Sequence, residues 1–246
     1  MIDDLKKKFE IFRDDDFKFE ESTHTYLYKG VKYISVTTLL SNFHEKFNSD
    51  YWSRKKADER GIDQKEILDE WKEKNDYANK IGSSLHNYVE NYFLGNFQKI
   101  PTNVDIVDRI NKFNIIFANK LHKLEPIALE LRIFSKKYPI AGTIDSIFLY
   151  KDELYIFDWK SNKEFTHDDH PNGSYQKLLS PFEEFYKNHL NEYSIQVSLY
   201  SLILEEWGFN IKEMFLLHIG PTTEAKIYRA KDMKDHLRKY LLEFYP

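Results

Sequence analysis

The sequence predicts an α/β domain of the α+β kind, with helices on the faces of a central mixed sheet. Alternating apolar runs between residues 127 and 160 indicate three consecutive strands. Apolar residues at helical spacing over 50–94 and 103–122 indicate helices before those strands. An apolar helix over 193–207, followed by short β-rich runs, indicates a return to the sheet. The 246 residues are enough for one domain, and we expect a single domain over 1–246.

Each element is predicted from its periodicity and from the turn residues that bound it. Ile106, Ile110, Phe113 and Phe117 share one helical face, for example. The expected elements are a hairpin over 24–40 about Lys29-Gly30, helices over 50–94 with a break near Gly61-Ile62-Asp63, a helix over 103–122, strands over 127–134, 140–150 and 154–160, a polar insertion over 163–192, a helix over 193–207, strands over 215–219 and 225–228, and a helix over 231–243.

The composition excludes several classes of protein. The chain has no cysteine, so disulfides, thiolate zinc sites and cysteine-ligated iron–sulfur clusters are excluded. No apolar run reaches the roughly 20 residues that span a membrane, and we expect a cytoplasmic protein. No phosphate-binding G-x-x-x-x-G-K-[ST] loop is present, which excludes an ATPase motor. A net charge of −4 is unusual for a nucleic-acid binder, unless basic residues are concentrated locally.

The central hairpin brings together the residues with the strongest chemical signal. Side chains alternate along a strand, so Asp158 and Lys160 share one face of their strand. A hairpin centred between Lys151 and Asp152 places Asp145 opposite Asp158 and Lys160 opposite Thr143. Two opposed carboxylates repel, and a hard cation such as Mg²⁺ or Mn²⁺ would relieve that repulsion through oxygen ligands.

The alternative is an exposed hairpin with ordinary acidic and basic side chains. The apolar neighbours Ile144, Ile147, Ile156 and Phe157 favour a buried strand pair, in which an unpaired aspartate would be costly. On the buried interpretation, the metal ion activates a water and stabilises charge on a phosphate, while Lys160 holds that water or the developing phosphorane.

Asp145 followed by Asp158-Trp159-Lys160 resembles the signature of the PD-(D/E)XK nuclease superfamily in its RecB-like form. Further segments are similar to the same subfamily in the same order: Gly82 to His86 as G-x-x-x-H, Glu130, and Gln196 to Tyr200 as Q-x-x-x-Y. The segment from Tyr33 to Thr37 is similar to one in phage exonucleases and in mitochondrial genome maintenance exonucleases. The resemblance covers about residues 26–200.

The resemblance implies a restriction-endonuclease-like sheet and a DNA exonuclease that uses Mg²⁺ or Mn²⁺ and acts from a free, single-stranded DNA end. It implies metal ligation by His86, Asp145, Asp158 and the backbone carbonyl of Trp159. It implies a catalytic Lys160, with Glu130 at the rim of the metal site and with Gln196 and Tyr200 positioning Lys160 and the DNA backbone. Recombination, repair and phage DNA processing are the processes it suggests, and a phage-infected bacterial cell is the cell it suggests. Protein partners stay open.

Residues 44–80 are expected to form a helical bridge over the site, as in similar exonucleases. Trp52 would stack on bases, and Arg54, Lys55 and Lys56 would contact phosphates. The alternative is a helical pair whose tryptophans pack inward and whose charges face water. His167-Asp168-Asp169-His170 is interpreted as a solvated loop rather than a second metal cluster, and Glu90 as helix surface.

Three other functions are alternatives to the exonuclease. A structure- or sequence-specific endonuclease of the same fold would share the metal site but need no free end. A catalytically inactive nucleic-acid-binding module would not need the acidic pair, Lys160 and His86 together. A two-carboxylate glycoside hydrolase would leave the Gln196–Tyr200 helix unexplained.

Overall fold

A computed structural model of the chain describes residues 2–96, 99, 101–168, 175–221 and 223–245. Its strands are β1 (Phe17–Glu20), β2 (Thr25–Tyr28), β3 (Val31–Ser35), β4 (Glu125–Phe134), β5 (Ile140–Tyr150), β6 (Glu153–Lys160), β7 (Ile211–His218) and β8 (Lys226–Arg229). Its helices are α1 (Ile2–Phe9), α2 (Val36–Leu40), α3 (Ser49–Arg60), α4 (Gln64–Phe93), α5 (Val104–Ile116), α6 (His189–Glu206) and α7 (Lys234–Phe244).

The strands form one mixed sheet, which confirms the predicted fold class. The order is β1-β2-β3-β5-β6-β7-β8, and β4 also pairs with β5. The β3–β5 and β6–β7 pairs are parallel and the others antiparallel. Two large apolar clusters cover the sheet. One includes Ile156 with residues of α6, and the other includes Phe157 and Trp159 with residues of α4 and α5. Strand β6 therefore contributes alternate side chains to opposite layers, as its sequence predicts.

The predicted elements are confirmed, with shifted ends, except at the N-terminal hairpin. Lys29-Gly30 forms its turn, but β3 ends at Ser35 and Val36 begins a helix. Ser35 Oγ accepts a hydrogen bond from Thr38 N, so a cap residue ends the strand that the sequence extended to residue 40. Strand β1 was not predicted.

The break near residue 61 is also confirmed, and its chemistry is local. Gly61 ends α3 with a φ of 66°, a conformation that glycine adopts without steric cost. Asp63 and Glu66 then form a capping box that starts α4. The 163–192 insertion contains no regular strand among its described residues, and α6 begins four residues earlier than predicted, at His189 after the Asn188 cap. No helix among the described residues is long and apolar enough to cross a membrane.

Candidate metal centre and catalytic lysine

The site lies where β5 and β6 separate. The predicted register holds for five pairs, from Tyr150–Glu153 to Ser146–Phe157, and the ladder then ends. At its other end, β5 pairs with β3 through Ile140 and Ala141. The ladder ends one pair before Asp145 and Asp158, so the prediction that these two residues pair directly is wrong although the register is as predicted. The predicted Lys160–Thr143 pair lies farther beyond the end of the ladder and is also not formed.

The side chain of Asp145 bonds to the backbone of β6 at the point where the two strands separate. Its Oδ2 accepts a hydrogen bond of 2.7 Å from Trp159 N, so a side chain replaces the missing ladder bond. The carboxyl group is buried. Burial raises the pKa of Asp145, although the positive charges of His86 and Lys160 oppose that rise.

His86 projects from α4 toward this carboxylate. Its Nδ1 lies 3.6 Å from Asp145 Oδ1 and 3.3 Å from Glu130 Oε1, and its Nε2 lies 3.1 Å from the carbonyl oxygen of Trp159. A Cβ on Gly82, one turn before His86, would lie 3.3 Å from Ser161 Oγ, so glycine permits the predicted close approach of α4 to the sheet.

The protonation of His86 follows from its surroundings. Burial alone would lower the pKa of His86, but the charges of Asp145 and Glu130 outweigh burial and raise it to about 9. At neutral pH the metal-free ring therefore carries protons on both nitrogens. Its Nδ1–H faces the two carboxylates, and its Nε2–H faces Trp159 O.

Glu130 reaches the cluster through an unusual backbone conformation. Its φ is 44°, in the left-handed region, and it lies between the β4–β5 pairs Leu129–Ser146 and Leu131–Ile144, which follow one register. A non-glycine residue in this region is strained by about 1–2 kcal/mol, and such strain clusters at functional sites. Glu130, predicted at the rim of the site, is in direct contact with His86.

Three of these side chains are arranged to hold a cation. One ligand atom from each of His86, Glu130 and Asp145 lies within 4.8 Å of the other two. Glu130 joins the predicted ligands His86 and Asp145 in this group, whereas Asp158 is outside it and Trp159 O faces His86 Nε2, so ligation by Asp158 and Trp159 O stays a prediction. The two carboxylates suit Mg²⁺ or Mn²⁺, whereas the imidazole is a common ligand of transition metals. Ligating histidines commonly donate their second N–H to a carbonyl such as Trp159 O.

Asp158 is fully enclosed beside this group. Among the described residues neither of its oxygens has a hydrogen bond of regular geometry, although Lys160 Nζ lies 2.7 Å from Oδ2. Burial raises the pKa of Asp158 to about 6, partly opposed by Lys160 and reinforced by Asp145. A carboxylate this poorly satisfied needs the ammonium group or a nearby cation to remain charged.

Lys160 is held by α6, as the Q-x-x-x-Y motif predicts. Its Nζ donates to Gln196 Oε1 at 3.1 Å, and Gln196 Nε2 donates to Tyr200 OH at 3.0 Å. Burial alone would lower the pKa of Lys160, but Asp158 and Asp145 raise it, so the group is an ammonium at neutral pH. The structure thus brings Gln196 and Tyr200 to Lys160.

Two residues of this network were missed by the sequence analysis. Lys160 Nζ lies 4.2 Å from the centre of the Tyr193 ring, one turn before Gln196. Gly142 leaves room for Tyr200, because a Cβ there would lie 2.7 Å from Tyr200 Cε1. Tyr193 could have been predicted from its position one helical turn before Gln196. Gly142 could have been predicted from its position three residues before Asp145 on the same strand.

A cleft of about 1440 Å³ opens beside the cluster. His86, Glu130 and Lys160 line it, and so does Glu90, which was interpreted as helix surface. Its other basic and aromatic lining residues are Phe19, His24, Lys74, Tyr77, Arg109, Arg132, Trp159, Lys163 and Tyr193.

The four substrate-binding residues predicted on α3 do not line this cleft. Arg54 forms a salt bridge of 3.0 Å with Asp50, and Trp52 is 45% exposed with Lys55 Nζ 5.3 Å from its ring. Lys56 is exposed. The helical segment itself is present, but the residues that extend the cleft come from α4, at Lys74 and Tyr77, rather than from Trp52, Arg54, Lys55 and Lys56.

The His167–His170 stretch is described only in part. Asp168 Oδ1 accepts from Asn188 Nδ2 at 2.8 Å and from Asn191 Nδ2 at 2.9 Å, and its Oδ2 pairs with Lys231. Asp168 therefore ties the insertion to α6 and to the segment after β8. Asp169 and His170 lie outside the described residues.

Comparisons with known proteins give no family assignment. No family model matches the chain, and no curated protein matches it. A solved crystal structure of a protein called SSO0001 shares 15% identity with the chain over 95% of this chain and 80% of its own, with a TM-score of 0.35. A likeness at that level carries no argument about this chain.

Proposed function

We propose that this protein is a metal-dependent deoxyribonuclease of the PD-(D/E)XK kind, an exonuclease that acts from a free single-stranded end. One observation carries the proposal: the ligand atoms of His86, Glu130 and Asp145 converge near a half-buried lysine on the wall of an open cleft. The sequence resemblance to RecB-like exonucleases supports the same chemistry and is the basis for the free-end requirement. Recombination, repair or phage DNA processing in the cytoplasm is the proposed setting.

The residues fit Mg²⁺ or Mn²⁺. Asp145 and Glu130 offer carboxylate oxygens and His86 a ring nitrogen, once the proton that now lies between them is released. A bound ion would stabilise negative charge on the phosphate and lower the pKa of a water molecule. The charge of the buried Asp158 strengthens the preference of this region for a cation.

Lys160 supplies the second charge that hydrolysis requires. In the reaction, water adds to phosphorus, one P–O ester bond breaks, and the leaving oxygen takes a proton. An ammonium fixed by Asp158, Gln196 and Tyr193 is suited to orient the attacking water and to donate a hydrogen bond to a phosphate oxygen. Because its pKa is raised, Lys160 acts as a cation rather than as a base.

The cleft has the character that a DNA strand needs, despite the acidic balance of the whole chain. Lys74, Arg132 and Lys163 line it together with the aromatic rings of Phe19 and Tyr77. Single-strand sites combine cations for phosphates with aromatic rings on which bases stack. Five basic residues line the cleft against four acidic ones, Glu21, Glu90, Asp105 and Glu130, so the cleft does not share the acidic balance of the whole chain.

The test is digestion of labelled single-stranded DNA in Mg²⁺, Mn²⁺ or EDTA, with linear and closed circular substrates side by side. We expect hydrolysis of the linear strand in Mg²⁺ or Mn²⁺, none in EDTA, and slow or no cutting of the circle. Cutting of both substrates at equal rates would replace the exonuclease by an endonuclease. Binding without cleavage in either metal would indicate the inactive binding module.

A further inference from the structure

Arg109 is a buried arginine without a carboxylate partner. It lies on α5 and is 6% exposed, yet it lines the cleft. Its NH1 donates to the backbone oxygen of Asp105 at 2.8 Å, and its Nε has no hydrogen-bond partner among the residues that the structure describes. Within the described part of the chain no carboxylate oxygen lies within 4.0 Å of it. A buried guanidinium in this state is unfavourable unless an anion arrives to compensate it.

The neighbouring acids are already engaged. The carboxylate of Asp105 accepts from Tyr77 OH at 2.5 Å, and that of Asp108 pairs with Lys112 at 2.6 Å. Lys112 also donates to the carbonyls of Gly220 and Pro221, at 2.9 Å each. Lys112, one turn after Arg109 on the same face of α5, therefore fixes the segment after β7 and leaves Arg109 as the available cation.

Cations and acids both lie near Arg109: Lys112 and Lys226 act with it on His218, and Asp105 and Asp108 are its neighbours on α5. His218 pairs with Lys160 across β6 and β7, and its Nε2 contacts Asn162 O at 2.7 Å. Burial lowers the pKa of His218, and the charges of Arg109, Lys226 and Lys112 lower it further despite the contact with Asn162. Asn162, two residues after Lys160, lines the same cleft as Arg109. An anion on Arg109 would therefore be held in the cleft of Lys160 by a separate cation.

We propose that Arg109 binds a backbone phosphate of the DNA strand in the cleft, a phosphate other than the one that is hydrolysed. This subsite rests on the proposed function. The planar guanidinium can hold two phosphate oxygens at once, which fixes the register of the strand relative to Lys160. The contact carries no sequence information, because every nucleotide offers the same phosphate.

The experiment measures binding of oligothymidines in EDTA, each with a single neutral methylphosphonate at a different position. The wild-type chain should lose about tenfold or more in affinity when the contacted phosphate is neutral. Arg109→Met should weaken binding to the unmodified strand by a similar factor and show no further loss at that position. Its slope of log affinity against log salt should fall by about 0.7, as expected for one lost phosphate contact on a single strand.

Two measurements separate this subsite from a structural role. Arg109→Met should bind Mn²⁺ as the wild type does, and without DNA it should melt at the same temperature or higher, because it removes an uncompensated buried charge. Arg109→Lys should bind DNA with intermediate affinity. Arg238→Met is the control, since Arg238 is paired with Glu205 and is absent from the cleft lining.

The outcomes are distinguishable. Equal sensitivity to the same methylphosphonate in wild type and Arg109→Met would overturn the subsite and leave the nuclease intact. A wild-type chain with no sensitive position would overturn it without any variant, even if Arg109→Met failed to fold. A wild-type chain that neither binds nor cleaves DNA would refute the proposed function, and the subsite with it.

Discussion

At the scale of single residues, we expect Lys160 and Asp145 to have different roles, Lys160 in cleavage alone and Asp145 in metal binding as well. Lys160 is an ammonium and cannot ligate a metal, whereas Asp145 belongs to the group of possible ligands. Lys160→Met should reduce DNA cleavage by at least about 10²-fold and still bind Mn²⁺. Asp145→Asn should lose both activities. Calorimetric titration with Mn²⁺, beside a cleavage assay, checks the division, and equal loss of Mn²⁺ binding in the two variants would refute it.

The pKa of His86 predicts that metal binding depends on pH. Below about pH 9 the metal-free ring is protonated, so Mn²⁺ must displace a proton. Apparent Mn²⁺ affinity should therefore rise about tenfold per pH unit between pH 6.5 and 8.5. Below about pH 6 the dependence should steepen, because protonation of Asp158 removes a further negative charge.

Calorimetry in two buffers of different ionisation enthalpy measures that proton directly. At pH 7.5 the wild type should release about one proton for each Mn²⁺ bound, since His86 is then protonated. An affinity that does not change with pH, or binding without proton release, would show that His86 is not displaced by the metal.

At the scale of elements, strand β4 has a strained backbone at Glu130, and this conformation directs the Glu130 carboxylate toward His86. Glu130→Ala removes the carboxylate and keeps the strain, while Glu130→Gly removes both. The glycine variant should be more stable than the alanine variant by about 1 kcal/mol, although glycine is ordinarily the less stable residue in a strand. Denaturant unfolding measures this difference, and a more stable alanine variant would contradict it. Both variants should bind Mn²⁺ more weakly than the wild type.

Helix α6 presents the hydrogen-bond chain that orients Lys160. Tyr200→Phe removes the hydroxyl that accepts from Gln196 Nε2, so Gln196 gains freedom to turn away from Lys160. We expect a loss of about tenfold in the cleavage rate, with unchanged Mn²⁺ affinity. Tyr240→Phe is the matched control, because Tyr240 is also a buried tyrosine with a hydroxyl contact, to Asn42, outside the cleft lining. An equal effect of the two substitutions would indicate general destabilisation.

The same elements show what a sequence can predict. The β5–β6 register followed from its turn, because a hairpin is a local structure. The end of that ladder did not, since β5 also pairs with β3, more than a hundred residues earlier in the chain. Glu130 was assigned to the rim because its positive φ has no pattern in the sequence. Arg109 lies on the predicted apolar face of α5, beside Ile106, Ile110 and Phe113. A charged residue on a buried helical face indicates a functional or paired group, but the hydrophobic periodicity predicts only that the face is buried.

At the scale of the whole molecule, binding of a metal should stabilise the fold. The cluster of His86, Glu130 and Asp145 exists in the folded chain, so a cation that binds there favours folding by mass action. At about 100 times its dissociation constant, Mn²⁺ should contribute about 2.7 kcal/mol and raise the melting temperature. Asp145→Asn should show no such rise. Thermal unfolding of the wild type and of Asp145→Asn, each in Mn²⁺ and in EDTA, measures the change in melting temperature.

The central claim is that hydrolysis depends on a cation held by this cluster, and the most direct measurement is the rate of cleavage of linear single-stranded DNA against Mn²⁺ concentration. The account predicts a rate that is zero in EDTA, saturates with Mn²⁺, and is half-maximal near the dissociation constant found by calorimetry. Asp145→Asn should show no cleavage at those concentrations, whereas Asp152→Asn, in the turn after β5, should match the wild type. Cleavage that persists in EDTA, or in Asp145→Asn at the wild-type rate, would contradict the account.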